Sequence, residues 1–281
     1  VQKSVRLLDL PAGMGRGSST GDDNVFIIED GAVEIEPEAL RDPLFATDFG
    51  RYDFRPTGKW KVIFPYQIDD GCRLLAEDDL KTRWPLTYRY LKSHEAALRK
   101  RKQFKEWYSY SAPRNLEVHE RAHIVVPLLA NRGLFSMIPK DQNGRLCPMA
   151  SGGFTITVGE GVYVSPKFVL GLLNSQLLFW CLRGISNVFR GGWITCTKQY
   201  VGELPIKVID PSNPTDVEKH DRMVSLVDKM LALVPKRRAE SNPQAATQLD
   251  AQISATDRQI DRLVYELYGL TEEEIALVEG A

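Results

Sequence analysis

The chain has 281 residues, of which 43% are hydrophobic and 26% charged, and a net charge of −1. It is long enough to bury one large core, and the charge balance excludes a uniformly basic nucleic-acid binder. No apolar run reaches the ~20 residues needed to cross a bilayer, and the first residues lack a signal-peptide pattern. Cys72, Cys147, Cys181 and Cys196 contain no Cys-x-x-Cys pair, so neither a disulfide framework nor a cysteine zinc site is indicated. A reducing cytoplasm is the expected compartment.

Taken in chain order, β-branched and aromatic runs predict strands at Val25 to Ile28 and at Trp60 to Phe64. Trp84-Pro85 opens a predicted helix reaching about Lys105, with Tyr90, Leu91, Ala97 and Leu98 on one face. Further strands are predicted at His123 to Val126 and Phe154 to Val158. Ser165-Pro166 is an N-cap followed by proline, opening a helix through Leu182 that is apolar nearly all round and so should be buried.

After Ile206 the composition changes, so residues 1–206 and 207–281 are read as two regions. Asp210 to Pro214 is a turn-rich linker. Thr215 with Glu218 forms a predicted capping box for a helix striped by Met223, Val224, Val227, Met230 and Leu231. A break at Ser241-Asn242-Pro243 leads to a second helix carrying Leu249, Ile253, Ile260, Leu263, Val264 and Leu267; Thr271 and Glu274 cap a short final one. Near-heptad stripes make an antiparallel hairpin the natural product, closing against its own domain or docking on an upstream one.

Charge is unevenly spread. From Gly21 to Gly50 nine acids face only Arg41, whereas Arg89 to Arg121 holds nine basic residues against four glutamates. Phosphate contact requires a basic face, not a basic protein. Arg99-Lys100-Arg101-Lys102 is read either as a cationic helix end that complements the dipole or as a phosphate contact. Trp107, Tyr108 and Tyr110 belong to the core.

Three motifs suggest chemistry. Leu8-Asp9-Leu10 followed by Gly13, Gly15 and Gly17 imitates a nucleotide-binding glycine loop, but the chain runs through Ser18 to Gly21 into a strand, with no helix to bind the phosphate. Here glycines let the backbone approach something closely. His119-Glu120-Arg121-Ala122-His123 matches a zinc-protease pattern that needs one continuous helix, yet Ile124 to Pro127 favour a strand. Asp70, Asp79 and Lys81 loosely imitate a magnesium-nuclease arrangement. Gly191 to Lys198, with hydroxyls, an aromatic and a cation, could follow a groove or simply form a turn and strand.

Several segments, weak singly, fall in a telling order. They are Gly17 to Gly21 with the following apolar run, Asp48 to Tyr52, Phe64-Pro65-Tyr66, the stretch holding Pro85, Tyr90, Leu91 and Arg101, and Trp107-Tyr108. Leu173-Asn174-Ser175, Gly191-Gly192-Trp193, Leu204-Pro205-Ile206 and Asp261 to Gly269 complete the set. From about Val5 onward the chain resembles the TaqI-like C-terminal specificity domain of adenine-specific DNA methyltransferases and fused restriction–methylation enzymes. It is also similar, through its Leu-Pro-Ile strand and helical spacer, to type I specificity subunits, although only one recognition unit fits.

The resemblance implies an α+β target-recognition domain with a C-terminal antiparallel helical hairpin and no catalytic residues of its own. It implies duplex DNA as partner, together with an upstream methyltransferase domain, which in some such enzymes is fused to an endonuclease. S-adenosylmethionine would belong to that missing domain, and no metal or membrane is implied. The residues expected to meet DNA are Arg16, Ser18, Ser19, Thr20, Arg51, Tyr52, Thr195 and Lys198, with Arg99, Lys100, Arg101, Lys102 and Arg114 on phosphates. A protein-interaction module using the helical hairpin is the alternative, and a metal-dependent hydrolase or nuclease the third reading.

Overall fold

The computed structural model describes residues 4–10, 12–69, 71–159 and 163–280. The fold is α+β, with two four-stranded sheets, each supporting its own hydrophobic cluster, and a C-terminal helical hairpin. No single helix among the described residues is long and apolar enough to cross a membrane.

The first sheet has the order Ser136–Met137, Ile124–Val126, Phe154–Val158, Ala12–Arg16, all antiparallel. Ile124 pairs with Ile156, and Ile156 with Met14. All three are buried, because the helices that follow cover this sheet. Those helices are Pro166–Asn174 and Gln176–Ile185, bent by 68° where one helix through Leu182 is predicted. Ser175 makes the break. Its backbone is extended, its hydroxyl donates to Leu172 O at 2.6 Å, and the same oxygen accepts from Leu178 N as the next N-cap. Asn174 fixes the bend by accepting from Phe135 N and donating to Phe135 O.

The second sheet runs Leu146–Pro148, Leu40–Leu44, Trp60–Ile63, Ile27–Glu29, with only the first pair parallel. A strand from Val25 is not formed: Asp23–Phe26 is a helical turn and the strand begins at Ile27. The Thr20 hydroxyl bonds the Asp23 carboxylate and accepts from Asp22 N, so a local side-chain turn outcompetes β propensity there. Phe26 then packs edge-on against Tyr110 at 5.3 Å, and Trp107, Tyr108 and Tyr110 all lie in this core.

The helix from Pro85 stops early. It spans Pro85–Ser93, followed by a single turn, Glu95–Leu98, which Arg99 caps, so Lys100 to Lys105 is irregular chain instead of the last turn of a long helix. At the break His94 Nδ1 lies 2.9 Å from Tyr90 O.

The hairpin pairs Pro214–Ala239 with Pro243–Tyr268. Its first N-cap is Asn213, which accepts from Thr215 N at 3.0 Å, not Thr215, because proline directly follows it at the first helical position. Gly269, with φ 67°, ends the second helix, and the Thr271–Glu274 capping box forms as expected. Met223, Val227, Met230, Ile260 and Val264 join the first sheet's cluster, so residues on both sides of position 206 share one core. Gly171 permits this closeness: a Cβ there would lie 2.5 Å from Met223 Sδ.

Candidate nucleic-acid interface

The chain's main basic segment is positioned from beneath. Ser19 bridges Ala112, and Ser18 bridges Met149, so the segment after Arg16 is laced between two distant stretches. At Gly17 a Cβ would meet Met149 O at 2.2 Å, the close backbone approach its sequence context suggests. Ser18 and Thr20 have no exposed surface. Ser18 Oγ accepts from Arg114 N at 3.0 Å, and Thr20 O accepts from Arg101 Nη1 at 2.7 Å. Their polar atoms therefore organise neighbouring cations.

Arg101 is turned inward. Its guanidinium donates to Leu98 O, Thr20 O, Ser109 O and Trp107 O, and stacks over Phe26 with 5.3 Å to the ring centroid. One planar fork thus satisfies four carbonyls drawn from the Thr20 segment, the end of the Glu95–Leu98 turn and the loop through Trp107 and Ser109. The flanking Lys100 and Lys102 remain exposed, as do Lys105 and Arg16; Arg114 is half-buried. Arg99 is exposed but ion-paired to Glu95 at 2.7 Å. The structure therefore brings Arg16 to Thr20, Arg99 to Lys102 and Arg114 together around one scaffold. Beside them opens a groove of about 590 Å³ whose wall includes Lys105, Ser109, Pro113 and Asn115. Sequence reasoning missed Asn115, exposed and left-handed at φ 52°, whose Nδ2 donates to Arg16 O.

The remaining expected contacts lie on other elements. Arg51 pairs with Asp257 of the helical hairpin, and Tyr52, at φ 56°, is buried with its hydroxyl unpartnered. Burial raises the Asp257 carboxyl above its ordinary range, against the opposing pull of Arg51. Thr195 lies in a short strand paired with Leu129–Ala130, its hydroxyl donating to Asn187 O. Lys198 is exposed at the start of the short helix Lys198–Val201.

The chemical motifs resolve locally. Ala12–Arg16 is a sheet strand, so Gly13, Gly15 and Gly17 do not fit a phosphate loop entering a helix. His119 lies in the last turn of the short helix Leu116–Glu120, and His123 directly precedes the strand Ile124–Val126, so the two are not on one continuous helix. The Arg16 carbonyl can only accept, so His119 Nε2 carries the proton and Nδ1 accepts from Thr155 Oγ1 at 2.8 Å. Both ring nitrogens are committed, and burial pushes this imidazole down to about 4. Asp79 and Lys81 are two positions apart in the helix Glu77–Arg83, a spacing that puts them on different faces; Asp70 lies outside the described residues.

No protein-family model matches the chain. Over 235 residues, 78% of its length, it is 24% identical to the type II restriction enzyme and methyltransferase RM.Eco57I of Escherichia coli. Over 274 residues, 94% of its length, it is 23% identical to the type II methyltransferase M.BstVI of Geobacillus stearothermophilus. The alignments span only 23% and 40% of those two proteins. The chain is thus related to proteins of type II restriction–modification systems.

Proposed function

We propose that this chain is the DNA-reading part of a restriction–modification protein, a TaqI-like specificity domain that grips duplex DNA while chemistry takes place on an upstream methyltransferase domain. The observation that carries the reading is that the segments bearing Arg16, Lys100, Lys102 and Arg114 are tied to one another through Ser18, Thr20 and Arg101. Exposed cations held on a rigid frame suit phosphate contact, which sets register on the duplex and leaves sequence to be read by base-edge contacts. Ser18, Thr20, Tyr52 and Arg101 serve as supports, since their side chains are buried or already committed.

In the intact protein the domain would hold DNA against the methyltransferase, which supplies S-adenosylmethionine chemistry on an adenine extruded from the stack. Met223, Val227, Met230, Ile260, Leu263, Val264 and Leu267 of the hairpin are buried in the chain's own core, which favours this reading over an interaction module built on those stripes. The test is fluorescence anisotropy with a labelled duplex, comparing the wild type with Lys100→Ala/Lys102→Ala/Arg114→Ala. Binding by the wild type and a loss of about tenfold or more in the variant, at unchanged melting temperature, supports the reading. Equal affinities would count against it.

A further inference from the structure

Apart from the basic segment in sequence, residues 187–193 form a turn whose apolar side chains stay largely exposed among the described residues. Val188 is 59%, Phe189 52% and Trp193 39% exposed. The backbone beneath them is tied at every step: Phe189 N donates to Trp193 O at 2.6 Å, Gly192 N to Phe189 O, and Thr195 N to Asn187 O. Val188 bridges Ile194, and Ser186 Oγ donates to Thr195 O. Gly191 and Gly192 both adopt positive φ, 79° and 76°, a tip that side-chain-bearing residues rarely form. Two large aromatics are therefore presented on a defined turn instead of being buried, which normally marks a binding surface.

Charge identifies the partner. Between Glu160 and Glu203 the sequence contains Lys167, Arg183, Arg190 and Lys198 but no Asp or Glu; Lys167 pairs with Asp228, which leaves Arg183, Arg190 and Lys198. Arg190 sits at the tip itself, and Lys198 follows the hairpin's return strand. Aromatics whose charged neighbours in sequence are cations match a polyanion that offers flat apolar faces, namely nucleic-acid bases between phosphates.

We infer that the Val188–Trp193 turn is a wedge that enters the duplex, Phe189 and Trp193 stacking on bases while Arg190 and Lys198 hold the adjoining phosphates. The inference rests on the DNA-reading function proposed above and adds a second, apolar contact distinct from the basic segment around Arg101.

The experiment uses a mixed-sequence duplex and the full chain. Phe189→Ala/Trp193→Ala should weaken binding about tenfold without changing the salt slope, because apolar contacts release no counterions. Trp193→Phe, which keeps an aromatic ring, should bind within about twofold of wild type, and should lose most of the tryptophan quenching that duplex causes. Phosphatidylglycerol vesicles should cause no quenching. If the wild type binds duplex with a steep salt dependence but the double variant binds equally well, the wedge is wrong and the DNA-reading function stands. Trp193 quenching by vesicles, or unchanged duplex quenching in Trp193→Phe, would also overturn it. A wild type that binds no duplex would overturn both.

Discussion

Arg51 Nη2 lies 2.5 Å from Asp257 Oδ1, joining the turn before Asp53 to a helix 206 positions away in sequence. A second pair repeats the connection, with Arg238 of the other hairpin helix 3.0 Å from the buried Asp53. Two ion pairs thus lock both arms of the helical hairpin to one short turn of the sheet region. Removing one partner of such a pair strands the other. Arg51→Ala should therefore cost about 1–3 kcal/mol, between the values for exposed and buried pairs. Urea unfolding would measure it, and Arg51→Ala/Asp257→Ala should recover part of the loss.

Arg101 and Lys100 are neighbours with opposite duties. Arg101→Ala leaves four carbonyls without their shared donor, and should destabilise the protein by about 3 kcal/mol or more. Lys100→Ala should leave the melting temperature within about a degree and weaken duplex binding instead. Paired thermal melts and binding titrations on the two variants check the division.

Gly17 has a steric role. A Cβ would sit 2.2 Å from Met149 O, a backbone atom that cannot swing away. Gly17→Ala should cost at least about 2 kcal/mol, whereas Gly31→Ala, where the added carbon meets nothing within 4 Å, should cost less despite its positive φ of 75°. Chemical denaturation of both variants gives the comparison.

His119 gives the fold a pH dependence. Burial lowers its folded pKa from 6.5 to about 4, so between those values the unfolded chain binds a proton that the folded chain does not. Stability from this residue is fully present above pH 6.5 and is lost as pH falls toward 4, by roughly 3 kcal/mol in all. The carboxyls of Asp257 and Asp261, raised by burial, act with the opposite sign, since the folded chain holds their protons longer. The difference between wild type and His119→Gln across pH 4 to 7 isolates the imidazole, and the variant should show the flatter curve.

The sequence was most legible where one periodicity governed a long segment. Phe154–Val158 lies where its β-branched and aromatic residues predict a strand, and the two hairpin helices lie where their apolar stripes predict them. It was least legible where a single polar side chain outvoted its neighbours. Ser175 breaks an apolar helix with its hydroxyl, and Thr20 with Asp22 and Asp23 turns an expected strand start into a helical turn. The candidate interface shows the same divide. Lys100, Arg101 and Lys102 are alike as a charge run, and only the placement of Thr20 O, Trp107 O and Ser109 O turns the middle one inward. The exposed Phe189 and Arg190 went unmarked because short apolar runs beside glycines usually signify strands, and only the fold reveals that they stay largely exposed among the described residues.

The most direct test of the central claim is the salt dependence of duplex binding by the unmodified chain. If several cations of the basic segment meet phosphates, log Kd should rise linearly with log salt, at about 0.9 per phosphate contacted and a total slope of about 3 or more. The slope should fall by about 1 for each of Lys100 and Lys102 replaced by alanine. No detectable duplex binding at low ionic strength, or binding indifferent to salt, would contradict the account.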